Sequence, residues 1–137
     1  MATYSTLAAD ADIMREMEAE LFPENEYSDT DLQDLKKTSA KALMKTDLCQ
    51  ELRLTESDTD DMTTLDSIVD KYESKLQKAL IYKQYYLYFY EKYDGIDGKN
   101  FMKMTTYESL YKGAKNEFSG LTIDSYKTTK TYTLRRS

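Results

Sequence analysis

Between residues 61 and 93 apolar side chains recur every three or four positions, and this run constrains the fold more than any other stretch of the chain. Leu65, Ile68, Val69, Tyr72, Leu76, Ala79, Leu80, Tyr86, Leu87, Tyr90 and Tyr93 share one helical stripe, with Asp66, Asp70, Lys71, Glu73, Lys75 and Lys78 opposite. Such spacing marks an α-helix that buries one face, so the sequence predicts one long helix with room for a bend. The second half of the run breaks that rule. Tyr82, Tyr85, Tyr86, Tyr88, Phe89, Tyr90 and Tyr93 put seven aromatics into twelve residues, and on a helix they point all the way round. One core covers only one side of such a cylinder. Some of the rings are therefore expected between molecules, with Tyr82, Tyr85, Tyr88 and Phe89 as the candidate contacts, because a tyrosine ring buries a large area while its hydroxyl still bonds to polar partners.

The rest of the chain reads as shorter helices. Residues 6–22 place Ile13, Met14, Met17 and Leu21 at helical spacing, and Pro23 stops the run. After a polar, acidic segment, Ser28, Asp29 and Asp31 supply cap and dipole signals for a second helix whose apolar face is Leu32, Leu35, Ser39, Ala42 and Leu43. Leu48 and Leu52 are out of phase with that face, which predicts a separate short turn of helix from Thr46 and Asp47. Residues 55–61 hold four carboxylates but lack the glycine and distal glutamate of a calcium loop, so they are read as an exposed cap for the next helix. Residues 94–98 read as a two-glycine turn. Phe101, Met104, Tyr107, Leu110, Tyr111, Ala114 and Phe118 form a last stripe, with Thr105 and Glu108 at capping-box spacing and Gly120 beyond the end.

From residue 121 the pattern changes from helical to alternating. Tyr126, Thr128, Lys130, Tyr132 and Leu134 alternate with polar residues, and Lys127, Arg135 and Arg136 make the segment basic. A lone strand has no mate in a helical domain, so this arm is expected to pair with another polypeptide. Tyr126, Lys127, Lys130, Tyr132, Leu134, Arg135 and Arg136 are its candidate contacts. The expected fold is all-α: a small bundle of about four helices with an extended, strand-forming C-terminal arm. Its segments are an N-terminal acidic helix and linker (1–27), a helical body (28–120) and the basic arm (121–137).

Chemistry is constrained by what the composition omits. The chain has 137 residues, no histidine and one cysteine, Cys49. These counts remove the commonest general base and metal ligand, and any cysteine-pair zinc site, so neither catalysis nor a cofactor is predicted. Cys49 is read as a small buried apolar side chain or a harmless thiol. The first residues lack the basic and apolar regions of a signal peptide, and no stretch nears the roughly 20 apolar residues that span a bilayer. A protein made and kept, or assembled, in a cytoplasm is expected. Charge is segregated: residues 1–70 carry 18 Asp and Glu against 6 Lys and Arg, net -12, and residues 71–137 carry 7 against 13, net +6. If the fold keeps these halves apart, copies or partners could meet acidic face to basic face; the alternative is that the halves pair inside one fold.

Helical body, extended basic arm and absent catalytic equipment together resemble the head-to-tail adaptor (connector) proteins of tailed bacteriophages. The likeness is architectural, covers residues 28–137 and rests on no motif, so no functional residue is carried over. It implies a virion structural protein, assembled in the host cytoplasm as a homo-oligomeric ring, twelve-membered in that family, that joins the portal to the tail. The arm would bind portal protein, the aromatic stretch would pack on neighbouring subunits, and DNA would pass through the ring unread. An alternative is a small cytoplasmic helical adaptor or regulator that binds one cellular protein. A nucleic-acid-binding domain is opposed by a pI near 4.8, because phosphate binding needs a basic surface.

Overall fold

Carboxylates start two of the helices. Asp10 accepts hydrogen bonds from the Asp12 and Ile13 N–H groups at 2.9 and 3.2 Å, which begins α1 at Ala11–Glu18. Asp58 accepts from the Asp61 N–H at 3.0 Å and begins a helix at Thr59, so the 55–61 cluster is the cap its sequence predicts. The computed structural model describes residues 2–18, 29–93, 95 and 98–122. Within them the protein is all-helical: α1, then α2 (Asp29–Asp34), α3 (Lys37–Leu52), α4 (Thr59–Lys71), α5 (Glu73–Glu91) and α6 (Lys99–Asn116), with a 3-10 turn at Phe118–Gly120. There are six helices among these residues rather than about four. The expected strand-forming arm, with Tyr126, Lys127, Lys130, Tyr132, Leu134, Arg135 and Arg136, lies outside them.

Several boundaries differ from those expected, each for a local reason. The N-terminal helix begins at Ala11 and not near residue 6, because residues 3–6 form a turn in which the Thr3 and Thr6 side chains bond each other's backbone. That turn is pinned to α4: the Ala2 and Tyr4 N–H groups donate to Asp70 and Asp66 at 2.8 and 2.9 Å. The 61–93 run is two helices meeting at Tyr72, whose φ of -117° and ψ of 31° leave the helical region. Lys36, in the left-handed region at φ 52°, separates α2 from α3. Leu32 and Leu35 therefore set no phase for α3. Its buried face is Ala40, Met44, Leu48 and Leu52, while Ser39, Ala42 and Leu43 are exposed, and α3 runs unbroken through Thr46 and Asp47. Thr105 lies inside α6, where its hydroxyl bonds the Met102 carbonyl, so the capping-box spacing with Glu108 starts nothing.

α5 and α6 form an antiparallel hairpin along their length. Tyr93 faces Phe101, Phe89 stacks on Tyr107, and Lys75 reaches Glu117 at 3.5 Å. The other elements wrap this hairpin and build two cores. One holds Ala40, Met44, Leu48, Cys49 and Leu52 of α3, Leu65, Ile68 and Val69 of α4, and Leu76, Ala79 and Leu80 of α5. Tyr4, Leu7, Leu54, Tyr111, Phe118 and Leu121 complete it. The other joins Ala9, Met14 and Leu32 to Ile81, Tyr85, Phe89 and Tyr107. At about 100° per residue, Ile81, Tyr85 and Phe89 fall roughly opposite Leu76, Ala79 and Leu80 on the α5 cylinder. α5 is thus covered from both sides. This explains why its sequence shows no single apolar stripe beyond residue 80.

Candidate functional site

The second covering decides where the aromatic stretch goes. Tyr85 is 0% and Phe89 2% exposed, so the expectation that these two rings face another molecule is corrected. α1 and α2 close over them, and the Tyr85 hydroxyl donates to the Met14 carbonyl at 3.1 Å, which satisfies its polar end inside the subunit. Tyr82 is partly buried against both cores, and Tyr88 sets its edge on Phe89 at 5.1 Å. The rings that do reach solvent are Tyr90 and Tyr93, 62% and 47% exposed. They sit at the end of the hairpin. Tyr90 lies 6.0 Å from partly buried Tyr86, and Tyr93 lies 5.9 Å from Phe101, whose neighbour Met102 is 69% exposed. Gly95, at φ 108°, turns the chain between the two helices. The hairpin end therefore presents core-type side chains on its outside.

A second feature was not legible in the sequence. Near the middle of the hairpin, Asp47 from α3, Lys83 and Tyr86 from α5, and Glu108, Tyr111, Lys112 and Lys115 from α6 line a recess of about 210 Å³. The Tyr111 hydroxyl donates to Asp47 Oδ2 at 2.6 Å, and Lys115 Nζ lies 3.7 Å from Asp47 Oδ1. Burial first, then the Asp47 hydrogen bond and charge, push the Tyr111 hydroxyl far above the ordinary phenol range. Lys83 Nζ sits 4.5 Å from the Tyr111 ring centre and 5.4 Å from that of Tyr86. Burial lowers its pKa. The one available signal was Lys83 itself, the only charged residue between Tyr82 and Tyr90.

No family model, no curated protein and no solved structure matches this chain. Its function is therefore argued from these surfaces. Among the described residues no helix is long and apolar enough to cross a membrane, and no three His, Cys, Asp or Glu side chains gather as a metal site. Cys49 is buried in the first core, and burial raises its thiol pKa. The remaining candidates, Tyr126 to Arg136, lie outside the described residues, although Leu121, where the arm was expected to begin, is 2% exposed and belongs to the body.

Proposed function

We propose that this chain is a structural, protein-binding subunit: a ring-forming head-to-tail adaptor of a virion, in which the helical body meets its own copies and residues beyond the body reach the portal. The observation that supports this reading is the hairpin end. Tyr90, Tyr93 and Met102 are between 47% and 69% exposed, whereas the other aromatic side chains among the described residues are buried or partly buried. Covering the part of such a side chain that is exposed is worth about 1 kcal/mol or somewhat more, so a partner surface gains by seating there. Tyrosine at such a place suits an interface that is partly wet. On this reading the protein performs no catalysis, takes no cofactor, and lets DNA pass through the ring without base contacts.

The test is native mass spectrometry of the full chain, alone and with a portal protein, for wild type and for a Tyr90→Ser, Met102→Ser double variant. A multi-subunit ring, weakened at least tenfold in the variant with unchanged helical circular dichroism, is the expected result. A monomer that captures one host protein through the same residues would replace the virion reading with that of a cellular adaptor. Indifference of every association to the two substitutions would remove the hairpin end from the function.

A further inference from the structure

The recess between α3, α5 and α6 has an uneven charge ledger. Asp47 is engaged by the Tyr111 hydroxyl and by Lys115, at 2.6 and 3.7 Å. Glu108 is hydrogen-bonded by Tyr86 and meets Lys112 at 4.0 Å. Each carboxylate thus has a nearer cation; Asp47 and Glu108 still act on the Lys83 charge through space, so three lysines share two carboxylates and Lys83 is the one without a close ion pair. Among the described residues no carboxylate oxygen comes within ion-pairing distance of its ammonium, which has the faces of Tyr111 and Tyr86 beside it instead. Ring faces return part of the hydration that a partly buried ammonium loses, and an anion would return the rest. A recess of about 210 Å³, open to solvent, has room for an acidic side chain.

We propose that the recess receives a carboxylate from the acidic segment 55–60, the loop before α4 and the start of its first turn, of a second copy of this chain. The inference rests on the self-assembly reading above and names one of its contacts. All three lysines come from the half of the sequence with net charge +6, whereas the loop lies in the half with net charge -12. Residues 55–60 are exposed throughout. Asp58 is committed to capping α4, which leaves Glu56 and Asp60 as the charges on offer. None of these residues lines the recess of its own molecule. A loop on one copy entering a different surface on the next is a heterologous contact, the kind that repeats head to tail and closes into a ring when the rotation allows.

Sedimentation of the full chain tests this with two variants of complementary defect. Lys83→Met keeps the side-chain stem packed between the rings but removes the charge, and Glu56→Lys with Asp60→Lys reverses the exposed loop without touching its cap. Each alone should associate about tenfold more weakly than wild type, as loss of one charge-assisted contact implies. Raising salt from about 0.1 to about 1 M, which shortens screening from about 10 to about 3 Å, should weaken the wild type likewise. Mixed together, the two variants restore one good loop and one good recess, so they should form dimers that grow no further. Wild-type association with both variants unaffected, or a mixture that forms no dimer, would overturn the recess contact while leaving self-assembly standing. A wild type that stays monomeric would overturn both. Circular dichroism guards against misfolding of Lys83→Met, and the loop variant, wholly on the surface, carries the test if that chain fails to fold.

Discussion

On one face of α5 the core is aliphatic and is closed by long helices; on the other it is aromatic and is closed by short ones. The first is held between α3, of 16 residues, and α4, of 13, with Leu, Ile, Val, Met and Ala filling most of it. The second is covered by α1, of eight residues, and α2, of six. Helices that short are marginal by themselves in water. What orders them is α5. Besides the Tyr85 bond to Met14, the Gln84 side-chain amide donates to the Gln33 and Leu35 carbonyls at 3.1 and 2.6 Å from a position with 0% exposure. Side chains with polar ends thus tie down backbone that helix propensity alone would not. These contacts predict a dependence that runs one way, with α1 and α2 needing α5 more than the aliphatic core needs them.

The largest expected effect comes from removing bulk on the aliphatic side. Leu80 is fully buried, and Leu80→Ala should cost about 3 kcal/mol in urea unfolding and lower amide protection throughout the chain. On the aromatic side, Tyr85→Phe keeps the ring and loses only its hydroxyl bond, so about 1 kcal/mol is expected. Where that protection is lost matters more than how much. It should be confined to residues 11–18, read by hydrogen exchange, with α3 and α4 unchanged. Protection lost equally in all helices would mean that the two cores unfold as one unit and would break the comparison.

Much of this arrangement is legible in residue order, and its limits have physical causes. The all-helical fold and a cap within residues 55–61 follow from pattern and composition. The phase of α3 did not, because a left-handed residue at Lys36 resets the helix and nothing in its side chain announces that conformation. Six aromatics on α5 and Tyr93 just beyond it suggest that a single core leaves rings over; Tyr90 and Tyr93 are indeed left over, but a second core takes Tyr85 and Phe89. The second is assembled from residues about 50 to 75 positions earlier in the chain, beyond the reach of any periodicity. The lysine recess is hidden for the same reason: Asp47 and Tyr111 meet across 64 residues.

The smallest effect separates the two regions at their joints. Arg53 and Lys36 are the non-glycine residues with positive φ among those described, at 58° and 52°. Arg53 ends α3 in the aliphatic region: its N–H reaches the Gln50 carbonyl, and the Leu54 N–H reaches the Cys49 carbonyl at 2.8 Å, with Leu54 and Cys49 both buried. A left-handed residue with a Cβ costs roughly 1–2 kcal/mol; glycine removes that strain, but its wider unfolded ensemble offsets much of the gain. Arg53→Gly should therefore stabilise the protein by about 0.5 kcal/mol. Lys36 has the same backbone strain, but its ammonium also pairs with Glu91 at the far end of α5 and so ties the α2–α3 turn to the aromatic side. With the two side chains 33% and 56% exposed, that pair is worth at most about 1 kcal/mol, enough to cancel the gain. Lys36→Gly should leave stability unchanged within about 0.3 kcal/mol in the same urea titration. If it stabilises as much as Arg53→Gly, the Lys36–Glu91 pair holds nothing, and the aromatic side depends on the Gln84 and Tyr85 bonds alone.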